Sequence, residues 1–257
     1  MTLSLNDFKN FFKYYNEEAH QIKAIETLYE ALPEDLKAEV ALWVKQYRNE
    51  ATEALAGLSE EVLLDVPYYS QRDNYRDSDR TCFSSACAMA LASVKPGSIS
   101  GDDDYVRTVF STGGDTTWAS AQIKALSKYG VQASFSTTSR IEDIKRIIDR
   151  GVPVPVGILH KGPGGSPYGG GHWICVIGYN KNGFIVHDPW GEINHNTGTY
   201  ITTDGAYLNY SYELFDSRWT VSSSSDGWLI EIASKEEREI VTKRALAHVW
   251  KLSLIHI

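Results

Sequence analysis

The chain has 257 residues, 42% of them hydrophobic, and a formal net charge of −8. This composition is typical of a soluble globular protein with one large core and a smaller unit. Because the chain is acidic and has no run of Lys and Arg, a phosphate backbone would repel it, and we do not expect nucleic-acid binding. The chain has only three cysteines, an odd number that does not suit a disulfide framework. A core of this size does not need one.

The N-terminal sequence MTLSLNDFKNFF has neither the cationic region nor the uninterrupted apolar stretch of a signal peptide. No segment approaches the ~20 apolar residues of a membrane span. We therefore expect a protein that is made in the cytoplasm and has no signal peptide, so that any action outside the cell requires another route of exit.

Residues 1–58 show aromatic and aliphatic side chains at spacings of three and four, which predicts a small bundle of two or three helices. Pro33 ends one of these helices and opens the next in its first turn. From EVLLDVPYYSQ onward the composition changes to short β-like runs rich in Gly, Ser and Tyr. We therefore predict a domain boundary there and a second domain over residues 59–233, and the role of the helical unit stays unassigned.

The second domain begins with helical patterns and continues with strand patterns. We predict one helix over Thr81–Val94, one that opens at Asp115 and stops at Gly130 in the C′ position, and one that follows a capping box from Ser139 to Glu142. The strands VPVPVGILH, HWICVIGYN, GFIVHDPWG and GWLIEIA come next, and NKNG forms a hairpin turn between the second and third. Helices followed by an antiparallel sheet predict the α+β class.

The end of the chain has two parts. Residues 234–251 begin a further helix, which we interpret as the start of a truncated domain. Residues 252–257, LSLIHI, have no cap and no helical period, and they match a translation of a common sequencing-library adapter. We interpret these six residues as an artefact.

The stretch TCFSSACAMAL contains two of the three cysteines. Thr81 is predicted to cap the helix and to leave Cys82 in its first turn, where free N–H groups and the helix dipole favour a thiolate. Five residues correspond to about 500° of helix, so the two thiols point about 140° apart. Cys87 falls on an apolar stripe and, like Cys175, is expected to be a core residue.

A cysteine nucleophile needs a base and a group that orients the base. His172 begins a strand after a glycine-rich loop, and Asp188 ends the neighbouring strand, within reach of the imidazole. Upstream, Gln71 offers an amide that can join the backbone N–H of Cys82 as an oxyanion donor. These four residues are the predicted catalytic set.

Each member of this set also has a structural interpretation. His172 can be a strand-start histidine bonded within its loop, and His160 is the nearest rival because it also ends a strand. Asp188 can simply initiate the DPWG turn. Gln71 is equally balanced between the two roles, and His187 is expected on the face opposite Asp188.

Clustered acids in DNYRDSD and GDDDY resemble the oxygen ligands of calcium, but neither has the spacing of a known loop. We interpret both as solvated surface, and Asp102 to Asp104 as the start of a helix. No Cys and His cluster has zinc spacing. We expect no metal and no cofactor.

The motifs VPYYSQ, a helix-initial Cys82, GGHW and HDPWG, in this order, resemble the double-glycine leader peptidase family and its stand-alone relatives among the papain-like cysteine peptidases. The resemblance covers roughly residues 61 to 232. It implies a nucleophile helix packed on an antiparallel sheet, with Cys82 as nucleophile, His172 as base, Asp188 as orienter and Gln71 in the oxyanion hole. Two features depart from the family: Phe83 stands where glycine is common, and the segment between Gln71 and Cys82 is longer.

The order of segments and the SQRDNYRD stretch also resemble modular lysis proteins of phages and prophages. That resemblance implies a peptidoglycan stem peptide or cross-bridge as substrate, with release to the cell wall during host lysis. One alternative is a non-catalytic cell-wall or virion binding module on a peptidase fold, which Phe83 would favour. Another is a peptidase that removes a leader or matures a phage protein.

Overall fold

The computed structural model describes residues 61–220, 222–223 and 225–233, together with the isolated positions 23, 27, 30 and 37. The chain divides into two compact units, Met1–Leu58 and Ser59–Ile257, and the second is described below. The bundle predicted for residues 1–58, the helix predicted for 234–251 and the final six residues lie outside the described residues.

Five α-helices follow a short 3₁₀ turn at Gln71–Asp73 in the described part of the second unit. They are α1 (Cys82–Val94), α2 (Asp102–Ser111), α3 (Ala119–Lys128), α4 (Ile141–Asp149) and α5 (Tyr212–Trp219). None of the described helices is both long and apolar enough to cross a bilayer.

Helix α1 is the centre of the core. Every residue from Phe83 to Leu91 is buried, including Ser84 and Ser85, because the helix has the sheet on one side and α2 and α3 on the other. The predicted single apolar stripe is therefore wrong: a helix enclosed on all sides has no solvent face. Its small Ala, Ser and Cys side chains let these neighbours approach closely.

The strands of the described region form one large antiparallel sheet and one small hairpin. They are β1 (Val62–Leu63), β2 (Ala133–Ser139), β3 (Val154–Lys161), β4 (Tyr168–Asn180), β5 (Gly183–His187), β6 (Ile193–Asn194), β7 (Thr199–Tyr200), β8 (Leu208–Ser211) and β9 (Gly227–Ile232). The large sheet has the order β2-β9-β3-β4-β5-β8, with β1 paired to β4, and β6 pairs with β7. Helices around an antiparallel sheet make the fold α+β, as predicted.

The register of β4 with its neighbouring strands determines where His172 and Asp188 lie. Trp173 lies opposite Gly157 of β3, and its indole stacks on Phe83 of α1 with ring centroids 3.5 Å apart. A Cβ at Gly157 would lie 3.1 Å from this indole, so glycine leaves the room that the ring occupies. Cys175 lies opposite His187, the last residue of β5. Asp188 therefore leaves the sheet close to the start of the buried part of β4, where His172 lies.

Two helix starts differ from the prediction. Helix α3 begins at Ala119 rather than Asp115, because the Asp115 carboxylate accepts the N–H and O–H groups of Thr117 in a turn of its own. Helix α4 begins one residue later than expected: its N-cap is Arg140, whose N–H donates to Asp143, so Ser139 and Glu142 do not form the capping box. Gly130 follows α3 with φ of +72°, as the C′ position requires.

Candidate active site

Cys82 is the first residue of α1, and this residue is partly buried. Thr81 occupies the N-cap position but does not cap the helix through its side chain, so that prediction is wrong. The Thr81 hydroxyl is buried and instead faces the Asn74 amide, 2.8 Å away, and the Ser78 carbonyl. The Thr81 side chain thus leaves the first N–H groups of α1 free to meet a ligand.

His172 is 5% exposed and joins Asp188 through a 2.7 Å hydrogen bond between Nε2 and Oδ1. The Cys82 thiol is close enough to the same imidazole to raise the pKa of His172. Since Asp188 occupies Nε2, the nitrogen available to the Cys82 thiol is Nδ1. The structure thus brings together the three residues that the sequence predicted from separate elements.

The charge state of His172 is set by these two neighbours. Burial alone would lower the pKa of His172, but the Asp188 carboxylate and the Cys82 sulfur outweigh burial and raise it to about 10. An imidazolium is therefore stable at this position at neutral pH, and it can balance a cysteine thiolate.

Asp188 is fully buried, and its carboxylate accepts three hydrogen bonds from described residues. Its Oδ1 accepts from His172 and from the Trp190 N–H at 2.9 Å, and its Oδ2 accepts from the Tyr210 hydroxyl at 3.2 Å. The backbone N–H of Asp188 donates to the Gly205 carbonyl at 2.8 Å. One side chain thus initiates the DPWG turn and orients the imidazole at the same time.

Gln71 begins the 3₁₀ turn and is 1% exposed. Its backbone N–H donates to the Pro189 carbonyl at 3.0 Å, which ties this turn to the segment after Asp188. Its Nε2 donates to the Ser78 carbonyl at 2.7 Å, and its Oε1 has no partner among the described residues. One of the two N–H bonds on Nε2 is left for another acceptor.

The remaining cysteines and histidines are arranged differently. Cys87 and Cys175 are fully buried, and burial raises the pKa of both thiols. The His187 side chain points away from the site, as the predicted strand alternation requires. Its Nε2 lies 3.0 Å from the Val66 carbonyl oxygen. His160 packs against His172 with ring centroids 5.5 Å apart, but it is His172 that bonds Asp188.

Several residues around the site were not predicted from the sequence. Tyr200 of β7 lies edge-on to His172, with ring centroids 6.1 Å apart. Arg72 stacks on Trp190 at 3.9 Å and donates its Nε–H to the Trp190 carbonyl. Two-residue strands such as β7 have no readable period, so the only sequence signal for Tyr200 was its place shortly after HDPWG.

The acidic cluster lies at the start of α2, where the sequence placed a helix. Asp102 is 8% exposed and accepts a 2.5 Å hydrogen bond from the Ser85 hydroxyl. Burial raises the pKa of Asp102 to about 6, and Asp73 and Asp103 add to this effect. Among the described residues, no group of three or more His, Cys, Asp or Glu side chains is arranged to hold a metal ion.

Three solved structures that match this chain share little sequence identity with it. A C39-like peptidase from Bacillus anthracis is 17% identical, with a TM-score of 0.48, covering 69% of this chain and 99% of that one. A double glycine motif protease from an AMS/PCAT transporter, solved with its leader peptide, is 15% identical, with a TM-score of 0.43, covering 66% of this chain and 93% of the other. The Carica candamarcensis cysteine protease CMS1MS2 is 12% identical, with a TM-score of 0.37, covering 68% and 99%.

Sequence comparison gives a more specific result. No curated protein matches the chain at a significant level. The Peptidase_C39 like family matches residues 63–220, which is more than half of the chain and contains all four predicted site residues. The chain belongs to the Peptidase_C39 like family and is a cysteine peptidase.

Proposed function

We propose that Cys82 cleaves a peptide or amide bond through a thioester. The thiolate attacks the carbonyl carbon, and the imidazolium of His172 gives its proton to the departing nitrogen as the C–N bond breaks. Water then attacks the thioester, with His172 accepting the proton, and releases the acid. The observation that carries this proposal is the buried 2.7 Å hydrogen bond from His172 to Asp188, together with the Cys82 thiol beside the same imidazole, whose pKa it raises.

Gln71 is proposed as the oxyanion donor, together with the backbone N–H of Cys82. Its amide is buried and anchored by the Ser78 carbonyl, so the second N–H is held in a fixed direction. A donor that is fixed before the reaction stabilises the developing negative charge without a cost of reorganisation.

Phe83 does not favour the binding-module alternative. Its ring is 2% exposed and stacks on Trp173 inside the core, with the two planes 4° apart. Phe83 points into the core while residue Cys82 is partly exposed, so the bulky neighbour does not bury the nucleophile position. The departure from glycine is thus compatible with catalysis.

We further propose a peptidoglycan stem peptide or cross-bridge as the substrate, with release to the cell wall during host lysis. This assignment is supported by the resemblance in segment order and in the SQRDNYRD stretch to modular lysis proteins. The family match favours a second candidate, a peptidase that removes a leader or matures another protein.

One experiment separates these functions. Wild-type protein, Cys82→Ala and the matched control Cys87→Ala are incubated with intact sacculi and with a peptide panel that includes double-glycine sequences. Mass spectrometry then identifies the released fragments. We expect wild type and Cys87→Ala to release stem-peptide or cross-bridge fragments from sacculi, and Cys82→Ala to release none.

The other outcomes are equally informative. Cleavage of double-glycine peptides without any release from sacculi would replace the lytic function by leader processing. Equal activity in wild type and Cys82→Ala would contradict the cysteine mechanism, and binding to sacculi without cleavage by any variant would favour the binding module.

A further inference from the structure

Two buried polar groups beside His172 have no hydrogen-bond partner among the described residues. They are the Tyr200 hydroxyl and Nδ1 of His160. Buried polar side-chain atoms in folded proteins are nearly always hydrogen-bonded, because leaving one unpaired costs the full desolvation of the group. Two unpaired groups next to the same imidazole therefore point to a ligand that pairs them.

Tyr200, His160 and His172 form a three-ring cluster. The ring of Tyr200 lies 6.1 Å from that of His172, and the ring of His160 lies 5.5 Å from it. The rings of Tyr200 and His160 are themselves 6.4 Å apart. Both unpaired groups are thus neighbours of the ring that is proposed to protonate the departing nitrogen.

The two groups are neutral and complementary. Burial and the charge of His172 lower the pKa of His160 to about 4, so His160 is uncharged at neutral pH. A neutral imidazole has one N–H donor and one acceptor nitrogen, so the unpaired Nδ1 acts as an acceptor when Nε2 carries the proton. Burial and the charges of Asp188 and Cys82 raise the pKa of Tyr200, which therefore remains an O–H donor.

Arg218 fixes the elements that carry both groups. Its guanidinium is 1% exposed and donates to three backbone carbonyls: Leu159 at 3.0 Å, Gly162 at 2.7 Å and His195 at 2.5 Å. Leu159 precedes His160 on β3, and His195 lies in the hairpin that leads to Tyr200. The backbone near the donor and the acceptor is therefore fixed before a ligand arrives.

We propose that Tyr200 and His160 bind the peptide group on the leaving side of the scissile bond and so determine specificity there. The Tyr200 hydroxyl would donate to its carbonyl oxygen, and His160 Nδ1 would accept its N–H. This inference rests on the proposed function, because the departing nitrogen must meet His172 while Gln71 and the Cys82 N–H hold the carbonyl oxygen. A neutral donor and acceptor suit an amide that continues the chain better than a free carboxylate.

Binding on the leaving side can be measured through the reverse reaction, in which an added amine attacks the acyl-enzyme. p-Nitrophenyl acetate acylates Cys82 and releases p-nitrophenolate, and glycinamide then competes with water for the thioester. The amine attacks the carbonyl carbon, the C–S bond breaks, and the proton of the amine passes through His172 to the sulfur, giving N-acetylglycinamide. Chromatography measures the ratio of this product to acetate, which is independent of the rate of acylation.

For wild type we expect the ratio to saturate with glycinamide concentration and to exceed the ratio obtained with glycine, which carries a carboxylate. Tyr200→Phe and His160→Leu should lower the glycinamide ratio about five- to tenfold each, the usual effect of losing one hydrogen bond. The control Tyr75→Phe removes a hydroxyl from a half-exposed tyrosine and should leave the ratio unchanged. The melting temperature of Tyr200→Phe should not fall, because the lost hydroxyl has no hydrogen-bond partner in the described part of the chain.

Failure of this inference differs from failure of the proposed function. A burst of p-nitrophenolate that is equal in wild type and Cys82→Ala would overturn the cysteine mechanism, and the inference with it. A burst that depends on Cys82, with equal ratios in wild type, Tyr200→Phe and His160→Leu, would overturn the inference alone. A higher ratio with glycine than with glycinamide would also overturn it and would point to recognition of a carboxylate.

Discussion

Asp188 and Asp102 are both buried carboxylates, but their partners differ. Asp188 accepts hydrogen bonds from the His172 imidazole, a backbone N–H and the Tyr210 hydroxyl. Asp102 accepts from the Ser85 hydroxyl and lies near the acidic side chains of Asp73 and Asp103. One carboxylate faces a group that can carry positive charge, and the other faces a hydroxyl and further acids.

The partner of a buried carboxylate, rather than burial itself, decides what that carboxylate does. Beside Asp188 the pKa of His172 is raised, so an ion pair persists at neutral pH and keeps the imidazole charged and oriented. Burial raises the pKa of Asp102 itself to about 6, so this group takes up a proton only slightly below neutral pH. Asp102 links the start of α2 to α1 through Ser85, which is a structural contact.

The largest expected effect follows from Asp188→Asn. The amide keeps the shape of the side chain but removes the charge that stabilises the imidazolium, so the pKa of His172 falls. We expect kcat/KM on a peptide cleaved by wild type to fall by roughly 10³-fold or more, as for orienting carboxylates in other triads. A loss smaller than tenfold would contradict the role given to Asp188.

Gly205→Ala tests the position of Asp188 without changing its chemistry. A Cβ at Gly205 would overlap the carbonyl oxygen of Asp188, whose N–H also bonds the Gly205 carbonyl. Moving the carboxylate by about 1 Å should lower kcat/KM by about 10- to 100-fold. Gly101→Ala is the matched control, because a Cβ there meets open space, and it should retain wild-type activity. Full activity of Gly205→Ala would show that the site tolerates a displaced Asp188.

Asp102→Asn should change stability far more than activity. The folded pKa of Asp102, about 6, lies above its ordinary value of 3.8, so its contribution to the free energy of unfolding is full below pH 3.8 and is lost as pH rises through 6. The melting temperature of the variant relative to wild type should therefore rise by a few degrees between pH 4 and pH 8, since about 1 kcal/mol corresponds to about 2–4 °C in a domain of this size. Activity should stay within about threefold, and parallel stability curves for the two proteins would contradict the raised pKa.

Residues that belong to long elements could be predicted from the sequence. The helical phase of Cys82, the strand alternation of His172 and the turn signal of Asp188 are local patterns, and the structure brings these three side chains together. The roles of Arg218 and Gly205 could not be predicted from the sequence. Arg218 bonds carbonyls that lie 23 to 59 residues away along the chain. Gly205 matters because it packs against the backbone of Asp188. The wrong cap at Thr81 has the same origin, since its hydroxyl is taken by Asn74 and Ser78 across the preceding loop.

The reactivity of the Cys82 thiol shows whether His172 and Asp188 activate it as a nucleophile. Native wild type, Asp188→Asn and Asp102→Asn are treated with iodoacetamide at pH 7, and the rate of alkylation at each cysteine is followed by peptide mass spectrometry. We expect rapid alkylation of Cys82 in wild type and in Asp102→Asn, at least about tenfold slower alkylation in Asp188→Asn, and protection of the buried Cys87 and Cys175. Equal rates at Cys82 in all three proteins, or faster alkylation of Cys87, would contradict the account.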